Sequence, residues 1–229
     1  MRHTIVTCAI LFTAPAALAQ SPARDPRLPV ILPEERQMAL ARSAGPAHVA
    51  EGAALYVLRP GGYVRVRGSS NGHSCLVEHD HPESIAPVCY DAEATRSILP
   101  GVLRIAELRE TGLSYTEAKE RVDELYRTGR LPAPRRAAMS YMLSRDQVLF
   151  ASPTGERVGA WRPHVMIFSP FATADQVGAK EGIDPVPFVA DAGKATAHIV
   201  IVVPEWSTPG AAGASAGSAG EHEHGSGAR

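Results

Sequence analysis

The chain has 229 residues, with 23 Lys and Arg against 24 Asp and Glu and a net charge of −1. At 45% hydrophobic and 21% charged residues it has an ordinary globular composition, which excludes collagen-like, mucin-like and wholly disordered chains. The balanced charge excludes a nucleic-acid scaffold, which needs an excess of Lys and Arg.

Residues 1–19 read as a secretory signal peptide. Arg2 and His3 form a short basic start, Ile5 to Phe12 an apolar run, and Ala17-Leu18-Ala19 a small-x-small cleavage site. The apolar run is too short for a bilayer of ~30 Å, and Pro15 interrupts it. The protein is therefore expected to be exported, to the periplasm or the extracellular space. Cys8 is lost with the signal, which leaves Cys75 and Cys89. An even cysteine count in an exported chain predicts a disulfide. A loop of that length is worth ~3 kcal/mol by the chain-entropy argument. No later apolar stretch is long enough to span a membrane, so no transmembrane segment is expected after cleavage.

Residues 20–33 form a proline-rich lead-in (Pro22, Pro26, Pro29, Pro33) to a single domain over residues 34–206. Pro33 opens a helix through Ala41, with Glu34 and Glu35 at the positive end of its dipole and Gly45-Pro46 as its stop. Leu55 to Leu58 and Tyr63 to Arg67 predict a hairpin around Pro60-Gly61-Gly62, with Val64 and Val66 on the core face. Ser74 to Glu78 reads as a third strand, followed by a loop closed by the cysteines. Ile98 to Glu110 reads as a helix with a broadly apolar stripe. The run Ser114-Tyr115-Thr116-Glu117 matches a capping box, and Ala118, Val122, Leu125 and Tyr126 then recur at helical spacing up to Gly129. These two segments predict a central αα-hairpin. Four strands follow, at Ser140–Leu143, Gln147–Phe150, His164–Phe168 and Ala197–Val203, the first two turning at Arg145-Asp146. Pro153-Thr154-Gly155 reads as a turn, and Asp175 to Ala179 as a short helix. Strands, two helices, then strands predict an α+β fold with a mainly antiparallel sheet. Residues 207–229 are rich in Gly, Ala and Ser without large apolar side chains, and are expected to form a disordered tail.

The densest polar cluster is His73-Ser74-Cys75-Leu76-Val77-Glu78-His79-Asp80-His81-Pro82-Glu83. If the strand runs on, His79 and His81 point the same way and could bind one zinc or copper ion, with His73, Glu83 or the distant His164 as a further ligand. A cupin motif also opens with His-x-His, but Glu83 follows His81 too closely for that family. The pattern Met139, Met142, His164 and Met166 would suit copper as thioether and imidazole ligands; Met on a strand is more often core filler. Cys89 with His164 and an acid would make a thiol hydrolase, the alternative to the disulfide. Tyr63, Arg65 and Arg67 would form a basic, aromatic outer face. No nucleophile elbow, zinc-protease motif, phosphate loop or dinucleotide fingerprint occurs.

The stretch Asn71-Gly72-His73-Ser74-Cys75-Leu76-Val77-Glu78, with Pro87-Val88-Cys89-Tyr90-Asp91-Ala92-Glu93, resembles a group of uncharacterised exported bacterial proteins. Tyr141-Met142-Leu143-Ser144 and Pro163-His164-Val165-Met166 extend the resemblance, which covers most of Ala44 to Val203. It implies no activity and no catalytic residue. The leading expectation is a non-catalytic envelope or binding protein stapled by Cys75–Cys89 and without a cofactor. The alternative is a zinc- or copper-dependent enzyme or metal carrier using His79 and His81.

Overall fold

Ser74–Glu78 is a strand of alternating partners: Cys75 and Val77 face one side of a sheet, Ser74, Leu76 and Glu78 the other. The computed structural model that establishes this describes residues 27–150, 157–159, 161–179 and 187–204. The signal peptide, the tail and the turn at Pro153-Thr154-Gly155 lie outside the described residues.

In chain order, α1 spans Glu34–Ser43, α2 Ala47–Ala50, β1 Ala54–Arg59, β2 Gly62–Arg67, β3 Ser74–Glu78 and β4 Ala86–Tyr90. Three helices follow: α3 at Ala92–Ser97, α4 at Leu99–Glu110 and α5 at Tyr115–Arg127. Then come β5 at Ala138–Met142, β6 at Leu149–Phe150, β7 at Arg157–Gly159, β8 at His164–Phe168, α6 at Ala174–Val177, β9 at Phe188–Ala190 and β10 at His198–Val202. Eight strands form one sheet in the order β2-β1-β3-β4-β5-β8-β10-β9. Its neighbours pair antiparallel except β1 and β3, which are parallel. The fold is α+β with a mixed, mostly antiparallel sheet.

Local sequence explains the helices. Asp91 caps α3 by accepting from the Ala94 N–H at 2.7 Å. The expected capping box of α5 is present: Ser114 Oγ accepts from the Glu117 N–H, and the Glu117 carboxylate accepts from the Ser114 N–H at 2.8 Å. Ala118, Val122 and Tyr126 are the buried side chains of α5. Helix α4 packs against α5 and β2. At Gly101 on α4 an added Cβ would stand 2.5 Å from the Tyr126 hydroxyl, so only glycine lets α5 come this close. Among the described residues no helix is long and apolar enough to cross a membrane.

The two faces of the sheet carry separate cores. On one, α1 covers β1, β3 and β4, with Ala41, Ala44 and Leu55 around Cys75 and Cys89. On the other, Leu76, Val88, Tyr90, Ala138, Met142 and Phe168 meet Ala94, Ile98 and Leu99 of the helices. The cysteines stand directly opposite each other on β3 and β4 and form the expected disulfide. No thiol is left at Cys89 for a hydrolase.

Several expectations need correction. Val66 packs against the core under α1 as expected, but Val64 is 41% exposed. Both faces of the edge strand β2 meet a core, since Tyr63 packs against the opposite one and donates to the Val77 carbonyl. The segment expected as a loop between the cysteines contains β4, with Pro87 inside it. Gln147–Phe150 does not return along β5: β6 pairs with β7 in a separate two-stranded sheet, while β5 lies between β4 and β8. The short pieces α2, α3 and β9 carried too few residues to show a period.

Candidate functional site

Between α4, α5 and the sheet lies a cavity of about 180 Å³. Ile98 at the start of α4, Val102, Ile105 and Ala106 of α4, Val122 and Tyr126 of α5, and Met166 and Phe168 of β8 give it apolar walls. Polar groups converge on it from five elements: Tyr63 on β2, Glu78 on β3, Tyr90 on β4, Arg109 on α4 and Tyr115 on α5. His79 follows β3, Asp191 and Thr196 come from the chain between β9 and β10, and His198 opens β10. A largely apolar concavity with a few convergent polar groups is the usual form of a small-molecule site.

The alternation of β3 places Glu78 on the helix-facing side, in line with Leu76. Tyr90, on the neighbouring strand, donates its hydroxyl to Glu78 Oε1. Burial pushes the Glu78 carboxyl up to about 7, against the Tyr90 hydrogen bond, which favours the ionised form; the negative charge of Asp80 raises it further. Burial likewise raises the phenols of Tyr63, Tyr90 and Tyr115, so all three stay protonated at neutral pH.

Arg109, in the last turn of α4, is 4% exposed. It donates to the His79 carbonyl at 2.5 Å and to the Arg27 carbonyl at 2.9 Å, and its guanidinium lies 5.7 Å from the centroid of the Tyr115 ring. These bonds tie the loop after β3, and the segment before α1, to α4. Across the cavity Lys119 pairs with Asp191 at 3.1 Å, and Lys194 with Asp123 at 2.7 Å. Asp191 stays below the usual carboxylate range because Lys119 and Lys194 outweigh the cost of its burial.

The expected metal ligands are arranged otherwise than a continuous strand would place them. β3 ends at Glu78, so His79 and His81 stand in a loop and the period-two argument does not extend to them. His79 is buried at the cavity wall, with Nδ1 2.5 Å from the Ser84 carbonyl. A carbonyl only accepts, so Nδ1 carries the proton and Nε2 is the remaining acceptor. Burial lowers its pKa to about 4. The His81 ring stacks on Phe150 at 3.9 Å, and its Nδ1 accepts from the Glu83 N–H at 3.2 Å. His164 on β8 is buried, with Trp161 edge-on at 4.6 Å and Nδ1 2.8 Å from the Arg162 carbonyl. Burial lowers its pKa to about 4 as well. The structure does not bring His164 to the other two: β4 and β5 separate β8 from β3, about 14 Å at ~4.8 Å per strand. Among the described residues no three or more His, Cys, Asp or Glu side chains are placed to hold a metal ion.

Glu78, Tyr90, Arg109, Tyr115, Asp191 and His198 line the site but belong to no catalytic or metal-ligand sequence motif. Two of them leave a sequence signal. Glu78 is an acid in phase with Leu76 on a core face, and Arg109 falls four residues after Ile105, on the inward stripe of α4.

No family model matches the chain, and neither a curated protein nor a solved structure matches it.

Proposed function

We propose that this chain is an exported, non-catalytic binding protein of the periplasm or the extracellular space. It is a single α+β domain with α4 and α5 as its central αα-hairpin and the Cys75–Cys89 bridge as its staple. It holds a small, mostly apolar molecule between those helices and the sheet. The observation that carries this reading is the cavity of about 180 Å³, walled by Ile98, Val102, Ile105, Met166 and Phe168. Closely packed interiors seldom keep space of this size, and an apolar void of ~150 Å³ is enough to take benzene.

Toluene tests the reading, because it is apolar, has no charge and is small enough to enter. Titration followed by amide NMR should show saturable binding, with shifts confined to residues of α4, α5, β3 and β8. Ala106→Phe, which puts a ring into the cavity from α4, should weaken that binding by at least about tenfold while the protein stays folded. Wild-type protein that shows no saturable shifts would overturn the proposal.

A further inference from the structure

We infer that the molecule held in this cavity is a small carboxylate with an aromatic or short aliphatic body, its charge met by Arg109. The inference rests on the binding role above and names the class of ligand.

The other charges that line the cavity already have partners. Asp191 is paired with Lys119, and Asp123 with both Lys119 and Lys194. Glu78 is held by the Tyr90 hydroxyl, and burial keeps much of it neutral near neutrality. His79 and His198 are held below the usual imidazole range by burial, and so are neutral.

Arg109 remains. A guanidinium keeps its charge at any ordinary pH and carries five N–H donors. Two of its nitrogens donate to backbone carbonyls, those of His79 and Arg27. Its Nε is buried and has no hydrogen-bond partner. Asp80 and Glu110 act on it only through their fields, and among the described residues it makes no ion pair. A charge taken out of water without its opposite is unfavourable unless a bound group supplies the acceptor.

A carboxylate supplies it best. Its oxygens match the planar donor fork, and the bond is charge-assisted. The N–H groups left open on a single guanidinium, beside neutral tyrosines, suit a monoanion better than phosphate or sulfate, which call for more cationic partners. An ammonium ligand would meet Arg109 and Lys119 with the same sign. The apolar walls set the rest: a volume slightly above the ~150 Å³ that holds benzene leaves room for one ring or a short chain, not for a long fatty acid.

Calorimetric titration of the wild-type protein with phenylacetate, phenethylamine and toluene reads this directly. Phenylacetate should bind at least about tenfold more tightly than toluene, as a charge-assisted hydrogen bond in a buried site implies, and phenethylamine more weakly than either. Ala106→Phe should abolish phenylacetate binding, which places it in the cavity. Arg109→Gln should remove the preference, so that phenylacetate and toluene measured on that same variant bind alike, and Arg109→Lys should keep part of it. Equal binding of phenylacetate and toluene, tighter binding of the amine, or an Arg109→Gln variant that retains the preference would overturn the inference. If Arg109→Gln does not fold, the wild-type ranking of the three probes decides. Toluene binding without a carboxylate preference rejects only the ligand class; failure of all three probes rejects the cavity reading itself.

Discussion

Cys75 and Cys89 are wholly buried against Ala41, Ala44 and Leu55 on the face of the sheet under α1. Three residues along the same strand, on the opposite face, Glu78 stands in a cavity among tyrosines and an arginine. The first face is closed with small side chains. An added Cβ at Gly45 would lie 3.3 Å from the Cys89 Cβ and Sγ, so backbone and bridge are already in contact. The second face is lined by Tyr63, Tyr90, Tyr115 and Tyr126 around the cavity. The α1 face is closed by packing; the α4/α5 face keeps a mostly apolar cavity of about 180 Å³.

Breaking the staple tests the separation most severely. The double variant Cys75→Ala/Cys89→Ala should lose about 2–5 kcal/mol in chemical unfolding, by loss of the cross-link and of the well-packed sulfurs. Where the variant is still folded, its toluene affinity should stay within about twofold of wild type. A parallel collapse of affinity would mean that the two faces are one cooperative unit.

Glu78 separates the two faces through pH. Its folded pKa of about 7 lies above the ordinary 4.5, so the native state holds the proton more tightly than the unfolded chain. Its contribution is fully present below about 4.5 and is lost as pH rises towards 7, by at most about 3 kcal/mol. His79 and His164 act in the opposite sense. With folded values of about 4 against 6.5, they favour the native state above 6.5 and lose that contribution as pH falls towards 4. Two imidazoles outweigh one carboxyl up to about 6.5, so stability should peak near there. Glu78→Gln removes the opposing slope. Relative to wild type it should gain about 2–3 kcal/mol between pH 5 and pH 8 in urea titrations. An unchanged difference between the two pH values would show that Glu78 is hydrated rather than buried.

The staple, the α+β class and the strands at Ser74–Glu78 and His164–Phe168 were legible because each depends on local pattern: cysteine parity, alternation, β-branched runs. So was α5, whose capping box is written in four consecutive residues. The strand β4 was hidden by Pro87 and by the assumption that two linked cysteines bound a loop; they face each other across a ladder instead. β6 was assigned the wrong partner because a turn at Arg145-Asp146 says nothing about which strand is adjacent in space. The cavity was illegible as such, since its residues come from elements far apart in sequence. Histidines drew attention as metal ligands, yet His79 and His164 are buried with Nδ1 committed to backbone carbonyls, whereas Glu78 and Arg109, on inward faces, were given no role.

The smallest expected effect falls on the edge of the cavity face. Ser114 and Glu117 satisfy the first N–H groups of α5, and Tyr115, the first residue of that helix, lines the cavity. Hydrogen bonds from the Ser114 hydroxyl and then its backbone N–H hold the Glu117 carboxyl below the usual range. Ser114→Ala removes one side of the box and should cost about 1 kcal/mol in urea unfolding. Amide exchange should quicken over the first turn of α5 and stay unchanged in β3 and β4, because the disulfide-linked pair does not depend on that cap. Toluene affinity should fall by no more than about twofold, since the walls from α4 and β8 remain in place. Faster exchange reaching β3 would show that the helix terminus and the stapled strands open together. The cavity face could then not loosen to admit a ligand without disturbing the closed one.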